Sequence, residues 1–477
     1  MPLEPVPRWA VALMIGGTLV AGVVGTTLLV AQANRARDRD TVARLRIDGV
    51  RTGLSLAAGT GGFVALLIAM RRQWLAERTQ NSTEQDQQQR QVTELYTKAV
   101  EQLGSANAVV RLGSLYALER LAQENEDQRQ TIVNILCACL RLPDDAVPED
   151  PQADAPSSDP RMDNQVRLTA QRILMQRLSA DDGNDEAWCD IDLDLSGTVL
   201  TGWTLTRGTL RHADFRRTLF TGECSFAGTT IARSLKCDGT MFSGPATFAG
   251  AAVTGAASFA GAQFADRADF AGLRFHAAAG FAGAKFHQRV SFAGSEFADG
   301  VDFAAATCGH EAAFAGARFR AAADFSEAKF DGPAEFDEAR FEGPAELIDV
   351  VFGSGAHFSD THFDAGVTFR AARFAGAVML RGAALRQYAS FDGVRFEDAA
   401  HFEHASITDG TFRNVQLAGV ISFADCAFDG EPVFERWRIT ADEHHRARSH
   451  WPSGWRVSIR PGDAGATLVD DDGPDHA

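Results

Sequence analysis

The densest group of residues able to do chemistry is the run ADEHHRARSHW, which brings Glu443, His444, His445 and His450 together. Imidazole and carboxylate side chains suit zinc. Their spacing follows no known ligand pattern, however, and the run comes after the last regular part of the sequence, so a solvated helix is expected there. The seven cysteines (137, 139, 189, 224, 237, 308 and 426) are odd in number and lack metal-ligand spacing. They read as small buried apolar residues, which favours a reducing compartment. No phosphate-binding loop and no nucleophile elbow is present. The GTGG run at 59–62 lies inside an apolar stretch and reads as helix packing. No catalytic residue, cofactor, metal ion or small-molecule substrate is expected, and the chain is read as a non-enzyme.

Recognition by charge is better represented. Between Asp324 and Asp349 stand nine acids: Asp324, Glu327, Asp331, Glu335, Asp337, Glu338, Glu342, Glu346 and Asp349. Only Lys329 and Arg340 oppose them, a balance of −7. They form the candidate partner-binding acidic face, set against the plainer reading of a solvated surface. The whole chain of 477 residues carries a net charge of −17 and is 45% apolar. That is too apolar for a disordered polymer, and its acidity argues against direct nucleic-acid binding, which needs Lys and Arg for phosphate.

The elements that position these acids are written in the aromatic residues, 33 of which are Phe against 7 Trp and 3 Tyr. Leu195, Leu200, Leu205, Leu210, Phe215 and Phe220 fall five apart, after which the interval alternates between six and five up to Phe434. From 215 to 434 this ladder has 41 positions, 32 of them Phe, and Phe63 alone lies elsewhere. Representative rungs are Phe264, Phe270, Phe275, Phe281, Phe286, Phe292, Phe297 and Phe303. The residue two before a rung is Ala in 22 of the 41 cases. Neither 3.6 nor 2.0 fits a mean spacing near 5.5. Short extended segments turning a corner at each repeat do fit. Residues two apart on a strand share a side, so Phe and the preceding Ala point inward. Four segments then close a coil, and residues 22 apart, such as Asp324 and Glu346 or Glu327 and Asp349, stand one above the other. One slip breaks the alternation, at Ile407, Phe412 and Leu417.

The run DLSGTVLTGWTLTRGTLRHADFRRTLF resembles the pentapeptide-repeat family, with its A-(D/N)-L-x-x unit, and the later F-A-G-A-x-F segments resemble the family's Phe-rich variant. The resemblance covers residues 191–434 and implies a mainly β fold, a right-handed quadrilateral β-helix of about 11 coils, a solenoid roughly 50 Å long. It also implies that Asp269, Asp302 and Asp324, each just before a rung, occupy the family's usual outward acid position.

Around this region the sequence divides further. Residues 9–31 and 52–70 contain no charge and are expected to form a transmembrane hairpin within 1–75, packed through Gly16-Gly17 and the glycines at 59, 61 and 62. A signal peptide cut after Ala33 is the competing reading. Residues 77–142 read as a small helical adaptor resembling a HEAT-like pair, 143–163 as a Pro- and Asp-rich linker, and 164–190 as a capping helix. Residues 435–477 read as a C-terminal cap containing Trp437, Trp451 and Trp455, then a disordered acidic tail. The layout resembles membrane-anchored bacterial members of the family, actinobacterial ones especially. Arginines between the spans argue for a cytoplasmic loop. The resemblance and the cysteines argue instead that the soluble part is cytoplasmic, which is the expectation adopted. The expected function is a membrane-anchored scaffold presenting a rigid rod to an unidentified protein partner. The alternative is an acidic DNA mimic that binds a DNA-handling enzyme such as gyrase. Residues 195–434 carry 20 basic and 28 acidic residues, a modest excess for such mimicry.

Overall fold

The computed structural model describes residues 8–33, 89–141, 160–180, 187–459 and 466–470, with scattered residues between 47 and 87. Two compact units result, Met1–Leu95 and Tyr96–Ala477. In the first, helix α1 (Arg8–Ala33) covers the first expected apolar span, although many of its side chains lie outside the described residues. Among the described residues no helix is long and apolar enough to cross a membrane. The second expected span, 52–70, lies largely outside them. The expected transmembrane hairpin is therefore not supported, and Gly59 and Gly61 of its expected packing lie outside the described residues. Among the described residues no neighbouring segment comes within 4 Å of a Cβ placed at Gly16, Gly17 or Gly62.

The second unit opens with helices that pack on a β-coil. Helix α2 (Ala108–Glu124) is capped by Asn107, whose side chain accepts the Val109 N–H at 2.9 Å. Helix α3 (Arg129–Arg141) buries Ile132, Val133, Leu136, Cys137 and Leu140 at helical spacing. Helix α4 (Pro160–Leu178) begins at Pro160 rather than at Asn164. Proline suits the first turn because no helical partner exists there for an N–H. Residues 143–159 of the expected linker lie outside the described residues.

From Ile191 the chain runs in short strands, most of two residues, each paired in parallel with the strand one turn later. Arg318↔Arg340, Asp324↔Glu346, Lys329↔Val351 and Glu335↔His357 typify the four series, all offset by 22 residues. They define the first, second, third and fourth sides of the coil in chain order. The third side holds twelve successive parallel strands, from Val199–Thr201 to Arg438–Ile439, hence about 11 turns.

Inside, the rungs form columns. Phe242 and Phe264 stack at 4.6 Å with 4° between planes, and Phe270 and Phe292 at 4.7 Å with 7°. Adjacent columns meet edge to face, as Phe264 does Phe270 at 5.6 Å and 79°. The repeat rise of ~4.8 Å sets the stacking distance. All eight representative rungs are buried. Where Thr or Ser replaces the small inward Ala, its hydroxyl donates to a rung carbonyl: Thr240 to Phe215 O at 2.6 Å, Ser295 to Phe270 O at 2.7 Å.

Corners explain the glycines. The second residue after a rung on the second and fourth sides has positive φ, as in Gly272 (64°), Gly316 (64°), Glu327 (61°) and Glu338 (58°). The slip near 407 is absorbed where Ala384–Ser390 and Ser406–Arg413 run unbroken around a corner. There Ala384 pairs with Ser406 but Tyr388 with Asp409, one residue having been bulged out.

Both open ends are covered. At the start, the Gln171 amide of α4 donates to Thr201 O at 2.7 Å and accepts the Thr201 N–H at 3.2 Å. The Gln130 amide of α3 does the same for Asp192, at 2.9 and 2.8 Å. Two glutamine amides thus replace the missing neighbour strand. Arg177 of α4 pairs with Glu119 of α2 at 2.8 Å, so the expected adaptor and capping helix are one cap. At the far end, Phe423 N–H donates to His450 O at 2.8 Å and His450 N–H to Ile421 O at 2.9 Å. Trp437 Nε1 donates to Phe412 O at 2.8 Å, and Trp455 lies 4.9 Å from Phe434. Trp455–Ile459 and Ala466–Asp470 form an antiparallel hairpin joined to Ile439. The strand at 466–470 corrects the expectation of a disordered tail for that part, because its backbone completes the sheet. Residues 471–477 lie outside the described residues.

Candidate interaction surface

The nine acids do not share one face. They span slightly more than one turn, so the chain distributes them around the coil. Asp324 and Glu346 lie on the second side, and Glu327 and Asp349 at the corner after it. Asp331 follows the third-side strand Lys329–Phe330. Glu335 is on the fourth side, Asp337 and Glu338 are at its end, and Glu342 follows the first-side strand Arg340–Phe341. What the 22-residue offset does assemble is a narrower strip: Asp302, Asp324 and Glu346 in register on consecutive strands, flanked by Glu327 and Asp349.

The acids differ in their tasks. Asp324 accepts the Ser326 N–H at 2.8 Å, as Asp302 does Ala304 N–H at 2.8 Å and Asp269 does Ala271 N–H at 3.0 Å. These carboxylates fasten turns. Asp337 accepts the Ser359 N–H at 2.7 Å, and Glu342 lies 3.8 Å from Arg340. Glu327, Asp331, Glu335, Glu338, Glu346 and Asp349 have no side-chain partner among the described residues. Elsewhere acids are matched: Glu311 with Arg289 at 2.8 Å, Asp364 with Arg340 at 2.7 Å, Glu397 with Arg373 at 2.7 Å.

The cysteines divide. Cys137, Cys224, Cys237 and Cys308 are buried, Cys139 and Cys426 half-buried and Cys189 exposed, which corrects the reading of all seven as buried. Burial pushes the thiols of Cys137 and Cys308 up to about 12 and those of Cys224 and Cys237 well above the ordinary value. Such thiols stay protonated and unreactive. The histidine-rich run forms a short helix, α5 (Glu443–Arg448), capped by Asp442, which accepts the His445 N–H at 2.8 Å. Contrary to expectation the run does not trail beyond the fold, since His450 continues the fourth side by pairing with Ser422. Among the described residues no three His, Cys, Asp or Glu side chains are grouped to hold a metal ion.

Sequence reasoning had no signal for the division of labour among the acids, because it depends on which corner each reaches. It also missed Gln130 and Gln171, whose isolated amides look like ordinary helix surface.

No curated protein and no solved structure matches the chain significantly. Residues 238–285 and 325–373 match a family model described as pentapeptide repeats in nine copies. Both stretches lie within the coil and keep its 22-residue turn, so these parts of the rod are similar to pentapeptide repeats.

Proposed function

We propose that the chain is a non-enzymatic scaffold that anchors to a bacterial membrane and presents its β-coil, wound right-handed as the resemblance to pentapeptide repeats implies, to a protein partner. The observation that carries this reading is the set of six unpartnered acids between Glu327 and Asp349 on a backbone whose strands are all fastened to their neighbours. A rigid, ordered array of charge favours oriented docking because little entropy is lost on binding. Anchoring is supported by the uncharged runs 9–31 and 52–70. It is supported too by apolar side chains more than half exposed in both: Val20, Val23 and Leu28, then Leu66, Ile68 and Met70. The cysteines favour the cytoplasmic side. A protein partner is preferred to DNA mimicry because arginines neutralise much of the acidity along the rod.

The test is cross-linking capture by the full chain in cells, compared with the variant Glu327→Arg, Glu346→Arg, Asp349→Arg, which spares the turn-fastening Asp324. A partner held by the wild type should be lost by the variant and released by salt. Capture of the same proteins by both would refute docking through these acids. Inhibition of gyrase supercoiling by the full chain would favour the mimic instead. Labelling of exposed Cys189 from one side of the membrane reports the orientation.

A further inference from the structure

Along the second side the outward positions change character in a fixed order. Lys236, Ser258, Gly280, Asp302, Asp324 and Glu346 stand in register on six consecutive strands. A cation occupies one end, small residues the middle and carboxylates the other end. The corner beside this column repeats the order. Arg217 lies at its cationic end and Glu327 and Asp349 at its acidic end, all with positive φ, and only glycine and Ala305 hold the corners between them. Lys236, Arg217, Asp302, Glu327, Glu346 and Asp349 are all exposed.

The side chains keep to this division. Neither Lys236 nor Arg217 has a side-chain hydrogen bond or ion pair among the described residues. The stem of Arg217 lies along the corner, its Cγ 3.7 Å from a Cβ placed at Gly239. Two acids do fall at the cationic end, and both are engaged. Asp214, one strand before Lys236, is neutralised by Arg216, whose Nη2 lies 2.7 Å from its Oδ2. Asp238 accepts the Ser258 hydroxyl.

Two copies of such a face match when the rods run antiparallel about a two-fold axis through Gly280. Each turn before Gly280 on one copy then meets the turn equally far after it on the other. Lys236 opposes Asp324 of the second copy, Arg217 opposes Asp349 with Glu327 beside it, and Gly280 opposes itself. A parallel pair would instead set Lys236 against Lys236 and Asp324 against Asp324. The small residues around the axis let the two backbones approach. The strip from Arg217 to Asp349 spans seven turns. At ~4.8 Å per turn and a side about 15 Å wide, it covers on the order of 500 Å² per copy, a total at the lower limit for a specific interface. Such a dimer is weak and salt-sensitive.

We propose that the second side is a self-association surface that joins two copies of this chain, antiparallel, about an axis at Gly280. The proposal rests on the reading of Glu327, Glu346 and Asp349 as docking residues and names a second copy as what they dock. A second copy is preferred to another protein because the complementary cations stand on the same face in reverse order.

The test uses the full chain in mild detergent. Sedimentation should show a concentration-dependent dimer at low salt that weakens at high salt. Arg217→Glu and Glu327→Arg/Asp349→Arg should each self-associate at least about tenfold more weakly. Mixed in equal amounts, these two variants should recover the wild-type affinity, because every corner contact again joins opposite charges. A cysteine on the axis meets its own copy, and a Cβ at Gly280 has no neighbour nearer than 3.9 Å. In a Cys189→Ser background, Gly280→Cys should therefore form an interchain disulfide on oxidation with diamide. Thr368→Cys, four strands further along the same side, should not, nor should the Cys189→Ser parent. A wild type that stays monomeric at low salt, two variants that fail to rescue each other, or a disulfide at Thr368→Cys in place of Gly280→Cys would each overturn the proposal. A monomeric wild type that still captures another protein through these acids would overturn self-association alone and leave the docking reading intact. The substituted positions point outward, so an unchanged near-ultraviolet circular dichroism spectrum certifies the fold of each variant.

Discussion

Glu338 holds a φ of 58°, a conformation that crowds the Cβ of any L-residue. One turn earlier the same corner is Gly316, with φ 64°, and one turn later Asp360, with φ 54°. The corner geometry is therefore set by the coil and imposed on whichever residue occupies it. A left-handed conformation costs an L-residue roughly 1–2 kcal/mol, and glycine gives back part of that gain through its freer unfolded chain. Glu338→Gly should accordingly stabilise the protein by about 0.5–1 kcal/mol, seen as a higher denaturant midpoint at unchanged slope. Gly316→Ala should move the other way by about 1 kcal/mol, although no neighbour within 4 Å obstructs a new Cβ there. A lower midpoint for Glu338→Gly would show that the glutamate is held by something other than its corner. If Glu338 takes part in docking, the glycine variant will be more stable and bind less well, the trade expected of a strained functional residue.

Among the elements, the helical cap depends on polar contacts that burial alone would not choose. Gln171 is 4% exposed, and both ends of its amide serve the backbone of Thr201. Replacing it by leucine keeps apolar volume but strands an edge N–H and C=O away from water. Gln171→Leu should then cost about 1–3 kcal/mol and speed hydrogen exchange at Thr201. If apolar packing of α4 alone closed the coil, the leucine would be neutral or better. This cap also marks where sequence reading reached its limit. The ladder, the inward Ala–Phe pairs and the stacking of residues 22 apart were legible because identical local geometry recurs at a fixed period. Gln130 and Gln171 were not, since each acts once and through a contact distant in sequence. The His450 strand was hidden for the same reason: its pairing with Ser422 is tertiary, and its composition looks like a solvated tail. The acids were legible as a cluster but not as a surface. A run longer than one turn wraps the coil, and only every fourth step returns to the same side.

For the whole molecule, stability should be transmitted along one dimension, because each turn of a solenoid touches only the turns before and after it. Phe286 lies near the middle of the third side, 2% exposed and stacked on Phe264 at 4.9 Å. Its neighbour Lys285 points outward from the same strand. Phe286→Asp removes a ring from the column and buries a carboxylate with no partner prepared for it. The expected loss is roughly 4–5 kcal/mol or more, whereas Lys285→Asp should stay within about 0.5 kcal/mol. The two ends, however, carry separate caps: the Gln130 and Gln171 amides at one, the His450 pairing and Trp455 at the other. A central defect therefore separates two stacks that each keep one closed end. Hydrogen exchange read by mass spectrometry should show protection lost first in the turns around residues 264–308 of Phe286→Asp. The turns at 191–240 and 390–439 should remain protected under the same conditions. Uniform loss of protection from 191 to 439 would mean that the rod folds as one indivisible unit. Equal exchange in the Phe286 and Lys285 variants would contradict the inward and outward assignment on which the coil rests.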